Sequence, residues 1–390
     1  MADMQVSLGE LKLKNPIIIA SGPLTSNIDR LKKAEECGAA GVSLKHTMLK
    51  QEFKSRPRWY VDKNQGMIVT GDPRLGVEES LDLIRKAKEQ TELAVLVNMS
   101  GLSTDPSSWG TMAKMMEDAG ADAIELNLNC PNLQIANSTA PALGANLGAN
   151  PDSTAMITKI VKEAVHIPVI AKLSTEGGAI LRVAEACVKA GIDVLNVHAG
   201  FRAAPGLDIY NGGTFLYPGS STGNFGGSSG PWSRLISNRF IADVARAFPN
   251  HIIGGGGISK WEHIVESIMY GAIAVQVCTA IMFKGFELIK DFTTGVSQFM
   301  DIAGYRQISE MKGLALKYIT APGAMPNTDV FAHIATEKCV GCHICEKLPT
   351  CDAIEYNVGD KKCLVNPSVC VGCGLCVGLC SSKAIKMVLV

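Results

Sequence analysis

Two runs of cysteine near the C-terminal end carry the most specific chemistry in this sequence: Cys339-x2-Cys342-x2-Cys345, with Cys351 behind it, and Cys370-x2-Cys373-x2-Cys376-x3-Cys380. Thiolates spaced in this way on a tight loop face one iron–sulfur cluster, and the fourth ligand of each cluster comes from the opposite run. Cys339, Cys342, Cys345 and Cys380 are therefore expected to hold one 4Fe–4S cluster, and Cys351, Cys370, Cys373 and Cys376 the other. A chain so equipped handles electrons one at a time. Two other uses of these thiols compete. Zinc also takes Cys-x2-Cys pairs, although a third cysteine at the same step, twice over, suits a cubane cluster better. Disulfides are the second. No charged segment followed by an apolar stretch opens the chain, so export to an oxidising compartment is not expected.

These thiols follow a much longer stretch that alternates short apolar runs with amphipathic helical patterns. Strands are expected at Pro16–Ala20, Ala40–Leu44, Ala94–Asn98, Ala123–Asn127, Val169–Leu173, Val194–His198, His251–Gly254 and Ala274–Val277. Helical patterns fall at Ile28–Cys37, Trp109–Ala119, Thr154–Val165, Ile180–Lys189, Leu235–Ala247 and Trp261–Tyr270. Nearly continuous apolar strands between such helices mean a parallel sheet with helical cover. Eight strand–helix units in roughly 300 residues fit an α/β fold of the closed (β/α)8 TIM-barrel type better than an open sheet. The expected organisation is a barrel over 1–315, a linker over 316–330 that contains Pro322–Asp329, and a separate cysteine-rich domain over 331–390. The glycine-rich stretch from Gly200 to Gly230 is too long for a routine connection and reads as a lid or substrate loop, or as partly disordered.

In a barrel the active site gathers at the C-terminal ends of the strands. Read in order, those ends give Ala20-Ser21-Gly22-Pro23, Lys45-His46-Thr47, Asn98, Asn127-Leu128-Asn129-Cys130-Pro131-Asn132, Ala171-Lys172-Leu173-Ser174 and His198. Later come Gly226-Gly227-Ser228-Ser229-Gly230-Pro231, Gly254-Gly255-Gly256-Gly257-Ile258 and Cys278-Thr279-Ala280. Backbone amides approach a phosphate closely only where no Cβ intervenes, and loops after the last two strands are the usual barrel phosphate site. Gly255, Gly256 and Gly257, with a helix expected from Ser259, are read as that site. A flexible turn is the plainer alternative.

Lys45, the Asn127–Asn132 segment, Lys172, the Gly226–Gly230 loop and Gly254–Ile258, in this order, resemble the FMN-dependent dihydroorotate dehydrogenase family. The C-terminal runs resemble bacterial two-cluster ferredoxins. The combination is most similar to the branch in bacterial dihydropyrimidine dehydrogenase, whose catalytic subunit joins such a barrel to a ferredoxin domain. The resemblance implies FMN at the barrel mouth, in contact with Ala20, Ser21, Gly22, Lys45, Asn98, Asn127, Lys172 and His198. It further implies contacts from Gly226, Gly227, Ser228, Gly255, Gly256, Gly257, Cys278 and Thr279. Lys45 and Lys172 match the family's two cations beside the flavin. Cys130 matches its catalytic acid/base, exchanging a proton at the carbon next to the one that exchanges hydride with flavin N5. A thiol of ordinary pKa, about 8.5, does this near neutrality where cations help it to ionise. Substrate contacts are expected from Asn127, Asn132, His198 and Arg202. Plainer uses exist for each: lysines that snorkel to solvent, a thiol that only fills space, asparagines that cap loops. The implied partner is a flavoprotein subunit that oxidises NAD(P)H, or a ferredoxin, and the implied assembly a homodimer or heterotetramer.

The chain also departs from these patterns. Five residues, not three, separate Cys345 from Cys351, and Ser381 follows the last cysteine where proline is usual. Ala199-Gly200 stands where the pyrimidine enzymes carry an Asn-Thr pair, and the asparagine expected near residues 64–72 has no clear match. A site built for ring amides discriminates by leaving unmatched groups unpaired. The expected activity is an FMN- and iron–sulfur-dependent oxidation or reduction at a CH–CH or C=C bond, on a substrate that need not be a pyrimidine. A true dihydropyrimidine or dihydroorotate dehydrogenase is the first alternative, and an electron-relay subunit with an inactive barrel is the second.

Lys+Arg and Asp+Glu both number 37, so the formal charge is zero and nothing points to a nucleic-acid or anionic-membrane partner. Apolar runs such as Asn15–Ala20 are far too short to span a bilayer. Cys37, Cys187, Cys278 and Cys363 read as ordinary buried or incidental thiols. No Gly-x-Gly-x-x-Gly follows a strand and opens a helix, so a Rossmann nicotinamide site is not expected. Thiols that must stay reduced to bind iron point to the cytoplasm.

Overall fold

Eight short, almost wholly buried strands form the centre of the first unit in the computed structural model. They are β1 (Ile17–Ile19), β2 (Gly41–Ser43), β3 (Ala94–Ser100), β4 (Ala123–Asn127), β5 (Val169–Lys172), β6 (Val194–Val197), β7 (His251–Gly255) and β8 (Ala274–Val277). The structure describes residues 2–49, 56–71, 73–102, 104–130, 144–176, 180–321, 323–324 and 329–389. Its two units are residues 1–319 and 320–390.

Neighbouring strands pair in parallel and in chain order. Ile18 lies opposite Gly41, Val42 opposite Val95, Val97 opposite Ile124, and Ile170 opposite both Glu125 and Val194. Val194 lies opposite His251 and Ile253 opposite Ala274, and Val275 opposite Ile17 closes the ring. This is the expected (β/α)8 barrel. A helix follows every strand: Ile28–Glu36, Val77–Gln90, Ser107–Asp118, Pro151–Ala164, Ile180–Lys189, Arg234–Ala247, Trp261–Met269 and Leu288–Ala303. In Ile180–Lys189 the buried side chains are Ile180, Val183, Ala184 and Cys187, one stripe at helical spacing that faces the strands. Pro151 opens its helix with a preset φ, and Asn150 caps it by accepting the Ser153 N–H at 3.0 Å. Among the described residues no helix is long and apolar enough to cross a membrane.

The stretch from Gly200 to Gly230 is not an irregular lid. Its ends are strands, Phe201–Ala203 and Gly226–Ser229, and they join Gly66–Thr70 and Arg58–Asp62 in a four-stranded antiparallel sheet. Glycine permits the close pairing: a Cβ on Gly226 would lie 2.5 Å from the Val69 carbonyl oxygen.

Inside the barrel one polar layer interrupts the apolar packing. It centres on Glu125 of β4, which is fully buried. Its Oε1 accepts from Ser43 Oγ at 2.8 Å, Asn98 Nδ2 at 2.6 Å and Lys172 Nζ at 3.4 Å. Its Oε2 accepts from Asn196 Nδ2 at 2.8 Å and from Gln276 Nε2. Lys172 also donates to Gln276 Oε1 at 2.8 Å. Donors from β2, β3, β5, β6 and β8 thus converge on one carboxylate. Burial alone would push the Glu125 carboxyl up, but the Lys172 charge and the bonds from Ser43, Asn98 and Asn196 hold it below the ordinary carboxylate range.

In the second unit Val330–Ile334 pairs antiparallel with Ile385–Leu389, and Ile354–Asn357 with Lys362–Val365. Each cysteine run lies between two of these strands, so the unit is two similar halves. The backbone repeats too: Gly341 (φ 66°) and His343 (φ 64°) flank Cys342 as Gly372 (φ 73°) and Gly374 (φ 75°) flank Cys373.

Replacing Glu125 with Gln keeps the shape and removes the charge, leaving Lys172 buried beside a neutral group. The variant should lose about 3–5 kcal/mol of stability in denaturant titration at pH 7. Because the folded carboxyl is held low, its contribution is complete above the unfolded value of about 4.3 and is lost as pH falls through the folded value. The gap between wild type and variant should therefore narrow below about pH 4. A gap under about 0.5 kcal/mol at pH 7, the size of a surface substitution, would contradict the role given to this pair.

Candidate active site

A cavity of about 460 Å³ opens at the C-terminal ends of β1–β8. Of the residues singled out in the sequence, Ala20, Ser21, Gly22, Lys45, Asn98, Asn127 and Cys130 line it. So do Lys172, His198, Gly227, Ser228, Gly255, Gly256, Gly257, Cys278 and Thr279. Two expected residues do not. Gly226 lies within the antiparallel sheet opposite Ala203, where its missing side chain serves strand packing. Arg202 is exposed and outside the cavity wall, its backbone N–H donating to Glu176 at 2.8 Å. Asn132 lies outside the described residues.

Lys45 and Lys172 are 6% and 7% exposed, so neither snorkels to solvent. Asn127 ties the polar layer of the barrel to Cys130. Its Nδ2 donates to Asn98 Oδ1 at 2.8 Å, and its Oδ1 accepts the Cys130 N–H at 2.9 Å. Because Asn98 donates to Glu125 in turn, two amides link the loop that carries the thiol to the buried carboxylate. His198 Nε2 faces Asn129 Nδ2 at 3.0 Å. Burial pushes the His198 pKa down to about 3, the Lys172 charge adding to the shift and Glu125 opposing it. The ring is therefore neutral near pH 7 and brings hydrogen bonding, not charge, to the cavity. His46, also in the cavity wall and 2.9 Å from Ser100 Oγ, is likewise held neutral, by burial first and then by Arg74, Lys45 and Lys172.

Several residues in this wall escaped sequence reading. Arg74 Nη2 donates to Cys130 Sγ at 3.5 Å. Arg74 sits in an irregular segment before the helix Val77–Gln90, where no periodicity marks it. Glu125, inside the barrel behind this wall, did carry a signal, a carboxylate inside an otherwise apolar strand. Gln276 on β8 and Asn129 were equally visible as polar residues at strand ends. Lys63, in the turn between Arg58–Asp62 and Gly66–Thr70, also reaches the cavity.

The glycine wall fits a phosphate-bearing cofactor. Gly256 (φ 87°) and Gly257 (φ 71°) turn the chain through the left-handed region just after β7. A Cβ on Gly257 would lie 2.6 Å from the Arg234 backbone nitrogen, and one on Gly22 would lie 2.7 Å from Cys278 Sγ. Bare backbone must form this side of the cavity, as a phosphate cradle requires. The helix beyond begins at Trp261, not at the expected Ser259. Lys260 is extended (φ −144°, ψ 158°), and the Ser259 N–H donates to His263 Nδ1 at 3.2 Å.

In the second unit Cys351, Cys370, Cys373 and Cys376 line a cavity of about 90 Å³. Cys339 and Cys345 are buried in the small core together with Cys363, which packs among the cysteines of the first run. Cys370 Sγ accepts the Ala332 N–H at 3.4 Å, and Cys380 Sγ accepts the Ala384 N–H at 3.3 Å. Left-handed residues alternating with cysteines form the kind of concavity in which backbone N–H groups surround sulfur-bearing anions.

The dihydroorotate dehydrogenase family profile matches residues 3–300. The catalytic subunit of dihydroorotate dehydrogenase B (NAD(+)) from Pyrococcus abyssi is 32% identical over 315 residues, covering 80% of this chain and 99% of that protein. The corresponding subunit from Thermoplasma volcanium is 31% identical over 318 residues, covering 81% and 100%. The NAD-dependent dihydropyrimidine dehydrogenase subunit PreA of Escherichia coli K12 is 28% identical over 359 residues, covering 88% and 84%. Since 88% of 390 residues is about 343, this last likeness extends past residue 319 into the cysteine-bearing unit. The chain belongs to the dihydroorotate dehydrogenase family and is a flavin-dependent oxidoreductase acting on CH–CH bonds.

Proposed function

We propose that this chain is a catalytic subunit that transfers hydride between a barrel-bound FMN and one carbon of a CH–CH or C=C substrate. Cys130 exchanges the proton at the neighbouring carbon, and electrons pass through two 4Fe–4S clusters held by a C-terminal ferredoxin-type domain. The observation that carries this reading is the convergence on one cavity of a thiol, two buried lysines and a bare-glycine wall.

FMN, when bound, supplies a carrier that takes hydride as a pair and exchanges electrons singly. Gly255, Gly256, Gly257, Cys278 and Thr279 would hold its phosphate through their backbone, and Lys45 and Lys172 would offset the negative charge of its reduced ring. Cys130 accepts the substrate proton as a thiolate in oxidation and returns it as a thiol in reduction. Asn127 keeps the thiol in place through the Cys130 N–H. His198, being neutral, orients a polar group without adding charge. Cys339, Cys342, Cys345 and Cys380 would hold one cluster, and Cys351, Cys370, Cys373 and Cys376 the other, each carrying one electron at a time. A flavoprotein subunit that oxidises NAD(P)H suits this chain as redox partner, with ferredoxin the simpler substitute. Relatives of both kinds are named as subunits of NAD-dependent enzymes. A reducing cytoplasm suits the free thiols.

Protein purified without oxygen should contain about eight iron and eight sulfide per chain; zinc in place of iron would refute the clusters. Cys130→Ala should retain FMN and slow substrate-driven flavin bleaching by about 10²–10⁴-fold. Unchanged bleaching would move the proton transfer to another residue. Lys45→Met should impair flavin reduction more than flavin retention, and equal losses would leave Lys45 a binding residue only.

A further inference from the structure

We propose that Cys363, which belongs to neither ligand set, donates its S–H to a ligand sulfur of the cluster at the first cysteine run. That bond makes Cys363 a positioning residue and raises this cluster's reduction potential above that of its twin. This rests on the reading of the two runs as cluster ligands.

The two halves of the cysteine-bearing unit show the asymmetry. Ala332 and Cys363 each stand seven residues before the first cysteine of a run, Cys339 and Cys370. The strand that carries each one packs on the run of the other half. A Cβ on Gly372 would lie 2.6 Å from the Val330 carbonyl oxygen, and one on Gly341 would run into the Lys361 carbonyl oxygen. Lys362 donates to the Cys339 carbonyl oxygen. Two residues beyond Val330, Ala332 lines the cavity of Cys351, Cys370, Cys373 and Cys376. Two residues beyond Lys361, Cys363 shares the core with Cys339 and Cys345. Burial first, and then the neighbouring Cys363, push the Cys345 thiol up, so the two sulfurs lie within reach of one another. One cluster therefore faces a methyl group and the other a thiol.

Cys363 is 1% exposed and free of any disulfide. A thiol in apolar surroundings keeps its proton and is a weak S–H donor. Reduction adds negative charge to a cluster and strengthens a hydrogen bond to its sulfur, so the bond favours the reduced state. Backbone donors are matched between the halves, the Ala332 N–H on Cys370 Sγ at 3.4 Å and the Ala384 N–H on Cys380 Sγ at 3.3 Å. The Cys363 thiol adds to one side only. Ser382 Oγ, 3.5 Å from Cys380 Sγ, acts on that same cluster.

Potentiometric titration of the full chain without oxygen, followed by electron paramagnetic resonance and paired with an iron count, tests this. Wild type should hold about eight iron and reduce in two steps. Cys363→Ala should keep its iron and lower the upper step alone, by about tenfold in the reduction equilibrium, about 59 mV for a one-electron couple. Cys363→Ser, which keeps an O–H donor, should stay within about twofold of wild type, about 18 mV. Equal potentials in wild type and Cys363→Ala, or a shift shared by both steps, would overturn the proposal. So would a serine variant as low as the alanine one. If Cys363→Ala loses iron, Cys363→Val, which refills the space without a donor, is titrated in its place with the same expectation. Loss of about four iron from both variants would make Cys363 a ligand and overturn the hydrogen bond. Wild type without iron would sink the cluster reading itself, whereas a full iron count with unmoved potentials sinks only the role of Cys363.

Discussion

A charge buried inside a barrel is tolerable only if the barrel supplies its partners. Glu125 meets that condition with donors from five other strands, one of them the Lys172 ammonium. The consequence reaches beyond stability. Asn98 uses one end on Glu125 and the other on Asn127, and Asn127 holds the backbone of Cys130. Lys172 is fixed between Glu125 and Gln276. The positions of the thiol and of one cavity-lining cation therefore follow from how one carboxylate is satisfied. Rotating any member would strand a buried polar group, at a cost of about 1–3 kcal/mol, which keeps this face of the cavity rigid.

Glycine plays the opposite part, removing side chains where backbone must come close. At Gly256 and Gly257 it lets the chain after β7 turn through the left-handed region, and at Gly226 it lets one strand lie flat on another. In the cysteine-bearing unit the same device recurs in register, with Gly341 and His343 matched by Gly372 and Gly374. The two halves share these turns and the first two thiol steps, and differ in the spacing to the fourth cysteine, five residues before Cys351 and three before Cys380. His343 is the exception to glycine, and its ring stacks on Tyr356 with centroids 3.8 Å apart.

Much of the barrel was legible because buried parallel strands and amphipathic helices leave unlike periodicities. Ile17–Ile19 and Ile180–Lys189 needed no tertiary information. Strand ends then located most of the cavity wall, since barrel topology brings those ends together whatever the loops do. What escaped depended on contacts between segments far apart in sequence. Gly226–Ser229 reads as a loop until Gly66–Thr70 lies beside it, and Arg202 looked like a site residue until that sheet turned it outward. Arg74 follows no pattern, and only the fold sets its guanidinium against Cys130. Cys363, read as an ordinary buried or incidental thiol, is buried, and only the fold places it in the core around the first cysteine run.

The account requires one polypeptide to hold a two-electron carrier in its barrel and two one-electron centres in its C-terminal unit. Anaerobic reductive titration with dithionite, followed by absorbance and electron paramagnetic resonance, counts them directly. Complete reduction should consume about four electrons per chain, two by the flavin and one by each cluster. An end point at about two electrons, with no signal from a reduced cluster, would leave the cysteine-bearing unit without its role and contradict the account.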